Sequence, residues 1–212
     1  IDVGKSMNIY RKTSLLVFPC FLLILALLIA ADNYHLLTAG NSVIYTYSRN
    51  FKEGQVGYGN QSITNNAMSF SELKPGDILL GGWTGCAYGY FSHAGLYVGN
   101  YKVLESYVKT GVTLNSISHY RDYPRACILR VKADDEIKQK AIDYALQQQG
   151  KVFYPVAFKN DGHYWNCTKI IWKAYQRQGV DLDDNHDLWI PPEAFYHSSR
   201  VEIIALKGGA PD

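Results

Sequence analysis

Two residues of this 212-residue chain stand in settings that suit nucleophilic chemistry, a cysteine and a histidine. Cys167 lies in Tyr164-Trp165-Asn166-Cys167-Thr168-Lys169-Ile170-Ile171-Trp172, and His93 in Ser92-His93-Ala94-Gly95-Leu96-Tyr97-Val98-Gly99. A thiol attacks carbonyls as the thiolate, and a neighbouring imidazole can take its proton and later return it to a leaving group. Asn166 is a good N-cap, and Ile170, Ile171, Ala174 and Tyr175 follow at helical spacing up to Gly179. Cys167 is therefore expected in the first turn of a helix, where unpaired N–H groups and the positive dipole end favour thiolate over thiol and can hold an oxyanion. A solitary free Cys is more often a small buried hydrophobe, so the case for Cys167 depends on what stands beside it.

The element that carries His93 supplies that neighbour. From Phe91 to Val98 the residues alternate, with His93, Gly95 and Tyr97 on one strand face and Ala94, Leu96 and Val98 on the other. Gly99-Asn100-Tyr101 then reads as a turn into a second strand, Val103-Leu104-Glu105-Ser106-Tyr107-Val108. Loop length decides which side chain can orient the histidine. A three-residue loop puts Glu105 on the His93 face, diagonal to it; a two-residue Gly99-Asn100 loop flips the parity and puts Ser106 there. A carboxylate in that place would fix the imidazole tautomer and stabilise its charged form.

Four segments, Leu73-Lys74-Pro75-Gly76-Asp77-Ile78-Leu79-Leu80, the His93 strand, Val103-Leu104-Glu105-Ser106 and Asn166 to Tyr175, resemble the YiiX/YebB-like branch of the NlpC-type cysteine peptidases. Gly179 to Leu182 and Pro191 to Phe195 extend the likeness, which covers about residues 72 to 206. A more distant similarity runs to lecithin:retinol acyltransferase-like proteins. The resemblance implies a circularly permuted papain-like α+β fold, with an antiparallel sheet packed on the nucleophile-bearing helix and the His strand preceding the Cys helix. It also implies Cys167 as nucleophile, His93 as base and Glu105 as the orienting residue. Asn166 and Thr168 stand where the family often has an aromatic and a Ser. Tyr154, Tyr164, Asn166 and Trp83 are the candidates for substrate binding or the oxyanion.

Near the start of the sequence, Lys5, Arg11 and Lys12 precede an uncharged apolar run, Ser14 to Ala31, which reads as a signal peptide or membrane anchor over residues 1–31. By the positive-inside rule the remainder is expected outside the cytoplasm, in the cell envelope. Residues 32–71, rich in Gly and Asn, read as a tether with a possible short helix; 72–207 form the catalytic domain and 208–212 a tail. Within the domain, Gly81 to Phe91 is either an aromatic flap or a structural loop, Cys127 to Val131 a strand, Asp134 to Gln149 a helix capped by Asp134, and Val201 to Leu206 a last strand.

The formal charge of +2 is dispersed, which gives no reason to expect nucleic acid as a partner. Setting Cys20 aside, Cys86 and Cys127 could pair in an oxidising compartment and leave Cys167 free. No Cys or His pair has zinc-site spacing, and no metal or cofactor is expected. Three functions stand. The first is a cell-envelope peptidase or amidase acting on cell-wall peptides. The second is a lipid or acyl-amide hydrolase or acyltransferase, suggested by the apolar N-terminus and the aromatic loop. The third is a non-catalytic binding module, against which the intact Cys, His and Glu set argues.

Overall fold

Strand alternation and one amphipathic helix decide where the two reactive side chains can meet. The structure is a computed structural model that describes residues 3–39 and 42–211, with side chains described from Val17 onward apart from residues 36 and 37. It divides into two compact units, Ile1–Ala39 and Gly40–Asp212.

In the first unit, α1 (Val3–Asp32) takes in the apolar run with Pro19 inside it, and α2 (Tyr34–Thr38) follows. The side chains of Lys5, Arg11, Lys12 and the start of the run lie outside the described residues. Among the described residues no helix is long and apolar enough to cross a membrane. The expected anchor is thus not supported.

The second unit begins within the stretch read as a tether. Its first helix, α3 (Val43–Lys52), is capped by Ser42, whose side chain accepts from the Tyr45 N–H. The helix is held to the rest of the unit by the Val43 N–H on Asp187 Oδ2 at 3.0 Å and by Asn50 Nδ2, which donates to the Ala87 carbonyl at 3.2 Å. Downstream, Asn66 Nδ2 donates to the carbonyls of Tyr120 and Tyr123, and Met68 is buried. These long-range bonds, which no local periodicity announces, order much of residues 42–71.

Six strands follow: β1 (Ile78–Gly82), β2 (His93–Gly99), β3 (Lys102–Tyr107), β4 (Gly111–Ser116), β5 (Arg125–Val131) and β6 (Val201–Lys207). They form one antiparallel sheet in the order β4-β3-β2-β1-β5-β6. Between β5 and β6 come α4 (Asp135–Leu146), α5 (Cys167–Gln176) and α6 (Pro192–His197). Asp134 occupies the N-cap position of α4, yet its side chain makes no capping hydrogen bond. The Gly81 to Phe91 segment is packed rather than loose, with Cys86 and Phe91 buried.

Helix α5 shows why the fold closes over the sheet. Ile170, Ile171, Ala174 and Tyr175 recur on one side and bury completely against Leu80, Ala94, Leu96 and Leu104. Each large apolar side chain buried this way contributes about 1.5–3 kcal/mol. The Tyr175 hydroxyl donates to the Gly76 carbonyl at 2.5 Å, tying the helix to the turn that opens β1. Gly76 has φ +91°, and a Cβ there would lie 2.9 Å from that hydroxyl, so only glycine fits. The opposite sheet face is covered by Ile117, Tyr120 and Tyr123, from a 3-10 helix at Ile117–Arg121 and the residues after it, packed on Leu79, Tyr97 and Val103.

Candidate active site

The turn between β2 and β3 decides which of Glu105 and Ser106 shares the face of His93. Gly99, Asn100 and Tyr101 all have positive φ, at 96°, 51° and 57°. Tyr97 pairs with Val103 and Gly99 with Lys102, so a bulge falls between Tyr97 and Gly99. The strands are joined by only two residues, Asn100 and Tyr101, but the extra bulge residue restores the parity of a three-residue loop. Glu105 therefore shares the His93 face and Ser106 the α5 face. Carrying the register on sets Tyr107 across from His93, and their rings stack at 4.2 Å and 15°.

Glu105 is completely buried and fully engaged. Its Oε2 lies 2.9 Å from His93 Nε2, 3.1 Å from the Tyr120 hydroxyl and 3.3 Å from His119 Nε2, and its Oε1 accepts from Asn115 Nδ2 at 2.9 Å. Burial alone would raise its pKa, but the hydrogen bonds and charges of His119 and His93 outweigh it and hold the carboxyl at about 2. His93 is displaced the other way. Burial opposes its charged form, but Tyr123, a hydrogen bond to Cys167, the bond to Glu105 and the Cys167 charge together lift its pKa well above 6.5. With Nε2 on the carboxylate, Nδ1 is left for the sulfur.

Close packing under this carboxylate explains Gly95. A Cβ there would lie 2.4 Å from Val103 Cγ2 and 2.5 Å from the Tyr120 hydroxyl, with Glu105 Oε2 at 3.4 Å. Gly95→Ala is expected to push Tyr120 off Glu105. We expect it to cost about 1–3 kcal/mol of stability and at least tenfold in turnover, read by thermal melting and by rate. A variant with native melting and native rate would show that the packing under Glu105 is slack.

Cys167 is the first residue of α5 and is half-buried. Asn166 adopts an extended cap conformation, and its Oδ1 accepts from the Lys169 N–H at 2.8 Å, with Thr168 Oγ1 3.0 Å away. The helix start is thereby fixed beside His93. Cys86 and Cys127 differ sharply: both are free, so the disulfide considered above is not formed, and burial pushes their thiols up to about 11 and about 12. Burial keeps each of them a thiol, inert as a nucleophile.

Cys167 and His93 open onto a cavity of about 630 Å³. Its walls are mainly apolar in area and include the rings of Tyr58, Trp83, Tyr88, Tyr123 and Phe153. Tyr58 is pushed up to about 12, chiefly by burial, so its phenol stays protonated. Trp83 and Asn166 both line this cavity, and the Asn166 side-chain oxygen is spent on the cap. Tyr154 and Tyr164 do not line the cavity. They pack on each other at 4.4 Å, half exposed, outside the cavity lining. The phenols near the reactive pair come instead from Tyr107, Tyr120 and Tyr123. Sequence reasoning also missed Asn115 and His119 as partners of Glu105. The apolar alternation of Val112 and Leu114 signals the strand that carries Asn115.

A family model described as permuted papain-like amidase enzyme, YaeF/YiiX, C92 family, matches residues 63–188. Among solved structures, the metalloprotein yiiX from Escherichia coli O157:H7 is similar at TM-score 0.52 and 16% identity, over 62% of this chain and 96% of that one. At that identity the likeness shows the fold. Among the described residues of this chain, no three or more His, Cys, Asp or Glu side chains are grouped to hold a metal ion. A search of curated proteins gives no match.

Proposed function

The chain belongs to the C92 family of permuted papain-like amidases, and on that premise we propose that it hydrolyses amide bonds through Cys167, His93 and Glu105. The observation that carries the reading is the juxtaposition of Cys167 with a buried His93 that is itself held by a fully buried carboxylate. The Cys167 thiolate attacks the carbonyl carbon, and N–H groups of the first turn of α5 receive the oxyanion. As the C–N bond breaks, His93 gives its proton to the departing amine, leaving a thioester on Cys167. Water activated by His93 then releases the acid and restores the thiol.

The cavity walls favour one substrate class over another. Besides His93 the charged side chain among the lining residues is Lys109, at the exposed end of the site. A cell-wall peptide carries several charges and would find few charged partners on these walls. An amide with an apolar acyl arm fits these walls better, so we take acyl-amides as substrates and cell-wall peptides as the second reading. The test sets purified protein and Cys167→Ala against an N-lauroyl amino acid and a muropeptide mixture, with products followed by mass spectrometry. We expect Cys167-dependent release of laurate. Cleavage of the muropeptides alone would return the cell-wall reading, and no cleavage together with an unreactive Cys167 would make the protein a binding module.

A further inference from the structure

Among the described residues, two buried side-chain polar atoms lack a hydrogen-bond partner, Ser106 Oγ and Trp165 Nε1. Of the two residues, only Ser106 lines the cavity that holds Cys167. An unpartnered buried hydroxyl is costly, and at a site its persistence points to a partner that arrives with the ligand.

The other buried polar side chains of the wall, and the half-buried Asn115, are already committed. Ser92 Oγ accepts from the Trp83 N–H and donates to the Gly81 carbonyl, both at 3.3 Å. Asn115 donates to Glu105, Tyr123 shares a hydrogen bond with Tyr107, and Thr168 Oγ1 donates to the Ile190 carbonyl at 2.6 Å. Asn166 caps α5. Strand parity places Ser106 on the side of β3 that faces α5, opposite the His93 and Glu105 side, with Val112 as its cross-strand neighbour. Ser106 thus approaches the reaction from the nucleophile's side of the sheet, among aromatic and apolar groups. A hydroxyl can donate one hydrogen bond and accept another, which matches the C=O and N–H of a carboxamide.

We propose that Ser106 is a substrate-contacting residue, its hydroxyl hydrogen-bonding the carboxamide held beside Cys167, and that it selects carboxamides over groups of similar size that cannot hydrogen-bond. The proposal rests on the amidase reading above and adds a specificity residue to it.

The test needs no identified substrate. Alkylation of Cys167 is followed by mass spectrometry in the whole protein and in Ser106→Ala, with iodoacetamide, which carries a carboxamide, and with allyl bromide, which does not. Ser106→Ala is expected to slow iodoacetamide about five- to tenfold. Its allyl bromide rate should stay within about twofold of the wild type, and its melting temperature should be equal or higher, because an unsatisfied hydroxyl is gone. Equal slowing of both reagents, no slowing of either, or a lowered melting temperature would each make Ser106 a packing residue and overturn the proposal. A wild-type Cys167 that reacts with both reagents no faster than a free thiol would overturn the amidase reading, and this proposal falls with it.

Discussion

In His93→Ala, amide turnover falls about a thousandfold and the alkylation of Cys167 at about pH 6 slows about tenfold. The two losses differ because they read different jobs. Alkylation needs only the thiolate, which the charged imidazole stabilises; a more basic thiolate is also more nucleophilic, and this returns part of the loss. Turnover needs in addition a proton delivered to the leaving amine, which alanine cannot supply. The raised His93 pKa makes the contrast pH-dependent. The wild type is expected to keep its rate advantage over the variant while His93 is charged, and to lose it as His93 gives up its proton at higher pH. Measuring both proteins from about pH 5 to about pH 9 decides the matter, since the free-thiol pKa of about 8.5 falls within that range. Superimposable profiles would mean that His93 does not act on Cys167.

Local patterns carried a good part of this site, and each had a physical reason. The Asn166 cap and the apolar spacing after it place Cys167 at a helix start, because a short-range hydrogen bond and a packed face are both written within ten residues. The alternation around His93 places it on a strand face. The choice between Glu105 and Ser106 needed the Val98 bulge and a tyrosine in the left-handed region, a conformation few sequence rules assign to Tyr. Asn115, His119 and Tyr120 reach Glu105 from β4 and the 3-10 helix after it, through pairings such as Glu105 with Thr113 that depend on the folded sheet. Tyr154 and Tyr164 show the converse. They lie near Cys167 in sequence, yet they pack against each other in the loop before α5 rather than against the thiol.

Glu105→Gln is expected to cost both rate and acid-dependent stability. The wild-type carboxyl is held at about 2 against an ordinary 4.5. A group with a lowered folded-state pKa stabilises the fold fully above its unfolded value, and that stability is lost as pH falls from about 4.5 through about 2. The size is about 3 kcal/mol, on the order of a buried pair broken by removal of one partner. His93 runs oppositely. Its folded pKa is raised, so its contribution is complete below about 6.5 and fades as pH rises through the higher folded value. The pair is therefore most stabilising in the interval between these limits. The substituted amide cannot titrate, and it adds donors where Asn115 and Tyr120 already donate. The variant should melt lower at neutral pH and lose the wild-type fall in stability between about pH 4.5 and pH 2. Its turnover should drop about a hundredfold or more, because His93 no longer has a carboxylate to fix its tautomer and balance its charge. Melting curves recorded against pH, beside rates at one neutral pH, separate the two effects. A variant that kept the wild-type acid transition would show that the stability lost there comes from carboxylates other than Glu105.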